Sequence, residues 1–261
     1  MNLSLKTCRL ALGILEDSGS AMCSLLQRIE EEQTGNIRKA AEAISKSISE
    51  GNLIHVYAGG GHTWLPVAEM FYRAGGLACI DPFMDYGLSP FNQALHYMQF
   101  ERLPGYGRAV IDYYNPGKGE VVIFIHNIGV NPATIDAALA CKERGLTLIA
   151  ISSSEWQKKV PKDHYIRHPS GKNLFEIADI CIDDNNPFGD AIITVPGMDT
   201  PIAPVSNVID FYIVHRLEIE VAKKLVEMGI EPPFWKSANI PGGDEYNRKY
   251  IEKYMGKVKY L

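Results

Sequence analysis

The 261-residue chain lacks any long apolar run. Its apolar stretches, such as residues 121–125, are the size of a single strand, far short of the roughly 20 residues that cross a bilayer. Excess positive charge is also lacking, because 31 acidic residues against 26 basic ones give a net charge of −5. A general nucleic-acid binder needs a cationic surface for the phosphates. The sequence therefore predicts neither a membrane nor a nucleic-acid partner.

Cysteines are few and form no CxxC pair, which argues against a disulfide framework or a structural zinc knot. An apolar segment near the N-terminus, residues 10–15, is cut short by Glu16 and Asp17 and is too brief for a secretory signal. Thiols in a reducing compartment fit this pattern, and we expect a cytoplasmic protein. The five cysteines are Cys8, Cys23, Cys79, Cys141 and Cys181.

Both common nucleotide-binding motifs are missing. The chain has no GxxxxGK[ST] sequence, and the glycine run at residues 59–61 does not continue as GxGxxG because Trp64 stands at the third glycine position. The candidate residues His62, Glu69, His126 and His215 show no HxxxH spacing of the kind that holds zinc. We therefore expect neither a nucleotide cofactor nor a resident metal.

What the chain does contain is an alternation of short buried strands and helices. The first 50 residues have helical periodicity, and four apolar runs then alternate with helical segments, at residues 53–58, 120–125, 147–151 and 180–183. Continuous apolar strands separated by helices indicate a doubly wound α/β fold with a mainly parallel sheet and helices on both faces. We divide the chain into N-terminal helices (1–50), a core domain (51–230) and a C-terminal tail (231–261).

Three loops follow the predicted strands, at residues 59–63, 126–131 and 152–154. Ligands of open parallel sheets bind beyond the carboxyl ends of the strands, and glycines there allow close approach to the backbone. These loops are therefore the predicted binding region. A helix at residues 206–228 is apolar on more than one face, which favours burial against a second copy of the chain.

The order of these motifs resembles the SIS (sugar isomerase) domain family over about residues 20–255. The resemblance rests on Gly-Gly-Gly-His-Thr after the first strand, Ala68-Glu69 in the next helix and an Asn-x-Gly-x-Asn loop after a later strand. It extends to Ser170-Gly171-Lys172, Asp183-Asp184-Asn185, Gly189-Asp190-Ala191, Ser237-Ala238-Asn239 and Gly242-Gly243-Asp244. The family implies a five-stranded parallel sheet, a homodimer or homotetramer, and phosphosugar binding.

The residues and the resemblance together suggest the site. Glu69, seven residues after His62, is the predicted base, because proton abstraction beside a carbonyl suits a carboxylate in a half-dry cleft. Glu101 and His215 are the further catalytic candidates, by likeness to etherase and isomerase relatives. The predicted substrate-binding residues are Gly60, Gly61, His62, Thr63, His126, Asn127, Gly129, Asn131, Ser152, Ser153, Ser154, Lys172 and Ser206.

The function that this pattern predicts is binding of a sugar phosphate or related carbohydrate derivative, with isomerase or etherase-like lyase chemistry. The loops carry few hydroxyl groups, so a neutral or carboxylated sugar stays open as the ligand. The alternative function is a non-catalytic carbohydrate-binding or regulatory protein.

Overall fold

The computed structural model describes residues 3–261, with side chains from residue 18 onward. The side chains of Cys8 and of residues 10–17 lie outside the described part. The helices are α1 (Leu3–Ser49), α2 (Trp64–Met70), α3 (Ala94–Glu101), α4 (Tyr106–Tyr114), α5 (Pro132–Glu143), α6 (Ser154–Lys159), α7 (Ser206–Glu227) and α8 (Gly243–Tyr254). The strands are β1 (Ile54–Ala58), β2 (Ile80–Phe83), β3 (Val121–Ile125), β4 (Thr147–Ser152), β5 (Ile180–Asp183), β6 (Ala191–Ile193) and β7 (Ile202–Pro204).

The first five strands form one parallel sheet in the order β2-β1-β3-β4-β5. Strands β1, β2 and β3 are buried along their whole length, as expected when helices cover both faces of a parallel sheet. The predicted α/β fold with five parallel strands is confirmed. Because β2 and β3 flank β1 on opposite sides, the order in which strands are added to the sheet changes direction at β1. This position is the topological switch point of the sheet. Ligands of such sheets bind in the crevice at that point, which here lies between the loops after β1 and β3.

One face of the sheet is covered by α1 and α7, which pack along each other. Of the apolar side chains of α7, Ile209, Ile213, Val214 and Leu217 are buried in the same chain, whereas Val208 is exposed. The first helix therefore covers part of the apolar surface of α7. Val208 and Ile219 stay exposed, and the homo-oligomer stays a prediction.

The other face is covered by α4 and α5, which cross at very short distance at Gly107. A Cβ atom at this position would lie 1.7 Å from the carbonyl oxygen of Ala133 on α5. The backbone cannot move that far unless the two helices separate. Both helices contribute side chains to the hydrophobic core on this face of the sheet. The close crossing therefore requires glycine for steric reasons.

Gly107→Ala should destabilise the protein by about 3 kcal/mol, because overpacking at a rigid contact shifts the backbone. The matched control is Gly35→Ala in α1, where nothing lies within 4 Å of an added Cβ. That change should stabilise the helix by about 0.5–1 kcal/mol. Urea denaturation measures the free energy of unfolding of both variants. Equal changes of the same sign in the two variants would contradict the close crossing of α4 and α5 at Gly107.

A buried network of charged side chains lies at the amino-terminal ends of the strands. The predicted binding loops lie at the opposite, carboxyl-terminal ends. His55 on β1 contacts two carboxylates, with Nδ1 3.0 Å from Asp81 Oδ2 and Nε2 2.8 Å from Glu120 Oε2. Asp81 also accepts a hydrogen bond from the backbone N–H of Lys259, which ties the C-terminal tail to β2. Burial disfavours the charged imidazole, but the hydrogen bonds and charges of both carboxylates outweigh it and raise the pKa of His55.

Candidate functional site

A cleft of about 280 Å³ opens at the switch point of the sheet. Its walls come from the loops after β1 and β3, from helix α3 and from the segment before β6. Nine predicted site residues line it: Gly60, Gly61, His62, Thr63, Glu101, His126, Asn127, Asn131 and Ser206. The structure thus brings together loops that are far apart in sequence.

Glycines after β1 let the chain pass close to two side chains of the cleft. A Cβ at residue 59 would lie 2.5 Å from Cδ2 of His126, and one at residue 60 would lie 3.0 Å from Oε1 of Glu101. Gly60 also has a φ of +134°, which side chains rarely adopt. The glycine loop is thus shaped around the Glu101–His126 pair.

Glu101 and His126 form a buried pair in the cleft. His126 Nε2 lies 3.1 Å from Glu101 Oε1, and the side chains are 2% and 9% exposed. The other ring nitrogen, Nδ1, accepts a hydrogen bond of 2.9 Å from the backbone N–H of Gly129. An acceptor nitrogen carries no proton, so His126 is the neutral Nε2–H tautomer and donates to Glu101. One oxygen of Glu101 is thereby fixed, and the other is free to act in the cleft.

Arg102, the residue after Glu101, supplies positive charge to the cleft. Its Nε is buried without a hydrogen-bond partner among the described side chains, and its guanidinium lies 5.0 Å from the ring centroid of Tyr165. Buried donors normally have partners, so this one points to a ligand group. A guanidinium is well suited to bind phosphate or carboxylate.

Asn127 links the cleft to two buried carboxyl groups. Its Nδ2 donates to Asp184 Oδ2 at 2.8 Å and to Asp210 Oδ2 at 2.9 Å. Burial, and for Asp184 also the neighbouring charge of Asp210, raises the pKa of Asp184 well above its ordinary value and that of Asp210 to about 7. Burial thus favours the protonated form in this pair.

The hydroxyl groups near the cleft are largely committed to the protein itself. Thr63 Oγ1 donates to the carbonyl of Gly60, and Ser206 Oγ donates to Asp190 Oδ2 at 3.0 Å. Asp190 Oδ1 also accepts from the backbone N–H groups of Val205 and Ser206. The N-terminus of α7 therefore already holds a carboxylate of its own chain.

Five other predicted binding residues do not line the cleft. The hydroxyls of Ser152 and Ser153 donate to the carbonyls of Asn127 and Asn186, and Ser154 N–H donates to Asp183. Lys172 is exposed on a turn away from the cleft. Gly129 is absent from the lining too, but its N–H holds the ring of His126.

Glu69 and His215 meet each other outside the cleft. Glu69 Oε1 lies 2.9 Å from Nε of Arg73 and 3.3 Å from Nε2 of His215. His215 Nδ1 lies 3.6 Å from Glu218 Oε2, and burial, aided by the charge of Glu69, raises the pKa of Glu218 to about 7. Two of the three predicted catalytic residues thus form a separate cluster on α2 and α7.

Several lining residues carried no signal in the sequence. Arg102 lies in a segment without apolar periodicity, and Trp156 begins no recognised motif. Asp190 belongs to a quoted motif, but only the fold shows that it caps α7. The lining residues that the sequence did not predict include Tyr97, Arg102, Trp156, Asn186 and Asp190.

Comparison with known proteins agrees with this architecture. Residues 19–153 match the SIS domain. The chain belongs to the SIS domain family. It is 38% identical to a UPF0309 protein of Caldanaerobacter subterraneus subsp. tengcongensis over 90% of this chain and 95% of that protein. A UPF0309 protein of Geobacillus thermodenitrificans is 36% identical over 90% and 93% of the two chains.

Solved structures of SIS-type proteins share the fold. A phosphoheptose isomerase from Neisseria gonorrhoeae superposes with a TM-score of 0.53 at 13% identity, over 80% of this chain and 97% of its own. One from Francisella tularensis gives 0.51 at 12% identity, over 82% and 98%. At this identity the likeness shows the SIS fold alone.

Two further observations bear on membranes and metals. Within residues 3–261 no helix combines the length and apolar character needed to span a bilayer. Among the side chains from residue 18 onward, no three His, Cys, Asp or Glu residues are grouped to hold a metal ion.

Proposed function

We propose that this SIS domain binds a sugar phosphate, or a related anionic sugar, in the cleft and removes a proton next to its carbonyl group. The observation that carries the proposal is the buried Glu101–His126 pair beside Arg102, whose Nε has no hydrogen-bond partner among the residues that the structure describes. A base and an unpaired cation in one cleft suit a substrate that has both an acidic C–H bond and an anionic group. The phosphoheptose isomerases of similar fold are consistent with this chemistry.

Glu101 is the proposed base. His126 holds one carboxylate oxygen, so the other has a fixed direction in the cleft, which is the arrangement that proton abstraction requires. His126 itself is a positioning residue, because both of its nitrogens are bound to the protein. His62 is exposed at the mouth of the cleft and is the group placed to exchange a proton with a substrate oxygen.

We assign the base to Glu101 rather than to Glu69. The carboxylate of Glu69 is paired with Arg73 and His215, and it does not belong to the lining of the cleft. A carboxylate that is already paired with an arginine is a poor base. Isomerase and lyase chemistry share this first proton transfer, and the product formed distinguishes them.

An aromatic wall completes the proposed sugar site. Trp156 lines the cleft, its Nε1 donates to the carbonyl of Pro187 at 3.0 Å, and its ring packs 4.6 Å from that of Phe188. These contacts hold the indole in place. Rigid aromatic surface with a few polar groups is typical of small-molecule sites, and it suits the C–H face of a sugar.

Arg102→Met should weaken sugar phosphate binding by about tenfold or more, because a charged hydrogen bond to the anionic group is lost. The test compares hexose 6-phosphates with the unphosphorylated hexoses in thermal-shift and calorimetric titrations, since a ligand raises Tm by mass action. The control variant is Arg108→Met, whose guanidinium pairs with Glu143 at the surface. Equal affinity of the wild type and Arg102→Met for every phosphorylated ligand would contradict the assigned anion site.

A further inference from the structure

The side-chain amide of Asn127 has a fixed orientation. Both hydrogens of its Nδ2 are used, one by Asp184 Oδ2 and one by Asp210 Oδ2. An inverted amide would direct its oxygen at two carboxyl groups, so the two acceptors exclude inversion. The planar amide then directs Oδ1 away from the carboxyl groups. Asn127 lines the cleft, and its Oδ1 accepts no hydrogen bond from the side chains and backbone that the structure describes.

The two carboxyl groups are themselves held in place. Asp184 is fully buried, and its Oδ1 accepts a 2.8 Å hydrogen bond from the backbone N–H of Asn186. Asp210 is fully buried on α7, and its Oδ1 has no hydrogen-bond partner in the described part of the chain. A proton on Asp210 is therefore best placed on Oδ1, which leaves Oδ2 as an acceptor for Asn127. The orientation of Asn127 does not require both carboxyl groups to be ionised.

Two more acceptor atoms lie in the same cleft. Asn131 precedes α5, but its side chain does not cap that helix. The Oδ1 atoms of Asn131 and Asn186 are both buried, and neither has a hydrogen-bond partner among the side chains and backbone described from residue 18 onward. These residues are 2% and 1% exposed, and a buried acceptor without a partner is costly unless a ligand satisfies it.

We propose that Asn127 is a specificity-determining residue whose Oδ1 accepts a hydrogen bond from a hydroxyl or amino group of the sugar. This inference rests on the proposed function and deepens it. The loop after β3 then accepts hydrogen bonds from the sugar. It disfavours phosphate oxygens, which can only accept hydrogen bonds. The anionic group of the ligand lies toward Arg102. A ligand without hydrogen-bond donors at that position is rejected because it leaves Oδ1 buried and unpaired.

The test is a double-mutant cycle between ligand and protein. The probes are hexose 6-phosphates and their monodeoxyfluoro analogues, in which fluorine replaces one hydroxyl at similar size but cannot donate. For wild-type protein, fluorine at one ring position should weaken binding by about tenfold. For Asn127→Ala, the parent sugar and that fluoro analogue should bind within about twofold of each other. The corresponding amino sugar phosphate distinguishes an amino donor from a hydroxyl donor.

A second variant keeps the test valid if Asn127→Ala fails to fold. Asp210→Asn replaces one acceptor by an amide that can also donate, so the amide of Asn127 becomes free to invert. The fluorine penalty should then shrink although Asn127 itself is unchanged. Thermal denaturation shows which variants are folded before the titrations.

The outcomes separate the inference from the proposed function. A fluorine penalty in the wild type that disappears in the folded variants supports the role of Asn127. A penalty of the same size in wild type and variants, or none at any position in the wild type, overturns that role and leaves the proposed function intact. If no hexose phosphate binds to the wild type, the proposed function fails and this inference fails with it.

Discussion

Glu101→Gln should lower the rate of proton abstraction by at least about a hundredfold while the protein still binds its sugar phosphate. The amide keeps the shape of the side chain and can still contact His126, but it cannot take a proton, and general bases contribute about 10²–10⁴ in rate. A fall in kcat with little change in binding marks an interaction used only in the transition state.

The measurement is incorporation of solvent deuterium at the carbon beside the carbonyl of candidate sugar phosphates. Glu69→Gln is the informative companion, because it removes the other candidate carboxylate from a cluster outside the cleft. We expect deuterium exchange to be lost in Glu101→Gln and largely kept in Glu69→Gln. The reverse pattern would identify Glu69 as the base. A protein that binds sugar phosphates without exchange would be a binding module.

Asp81→Asn should destabilise the fold by about 2–3 kcal/mol near pH 6. His55 would then lose one of its two carboxylate partners inside the protein, and removing one partner of a buried ion pair is costly. The backbone N–H of Lys259 also loses a charged acceptor. Urea denaturation measures the loss, and Glu155→Gln, which removes an exposed partner of Lys159, should change the free energy of unfolding little.

The pH dependence of this penalty follows from the raised pKa of His55. A raised pKa means that the folded protein holds the proton more tightly than the unfolded chain. The stabilisation is therefore complete below about pH 6.5 and is lost as the pH rises through the folded pKa. The difference between wild type and Asp81→Asn should shrink from pH 6 to pH 9. A penalty that is small at pH 6, or constant with pH, would contradict a charged His55.

The sheet could be predicted from the sequence because four of its strands are continuous apolar runs. Strand β2 could not, because it reads Ile-Asp-Pro-Phe, with a charged residue and a proline. Both are tolerated there since β2 pairs with one neighbour only, and Asp81 is neutralised by His55. Local sequence carries no trace of that partner, which comes from another strand.

The position of the cleft was also predictable, since it follows from the ends of parallel strands. The position of Glu69 outside the cleft could not be predicted. Its seven-residue spacing from His62 implies two turns of a continuous α-helix, but residues 61–63 form a 3-10 turn before α2 begins at Trp64. A 3-10 turn has three residues per turn, so the two side chains leave in different directions. Arg102 enters the cleft from α3, whose position depends on packing rather than on any local pattern.

The most direct test of the sugar site is the side-chain NMR spectrum of the seven histidines during titration with the sugar phosphate that raises Tm most. His62 and His126 line the cleft, His215 lies beside Glu69, and His55 lies at the opposite edge of the sheet. We expect the NMR signals of His62 and His126 to shift when the ligand is added, while the signals of His215 and His55 do not shift. Shifts at His215 without shifts at His62 and His126 would contradict this expectation and place the ligand at the Glu69 cluster.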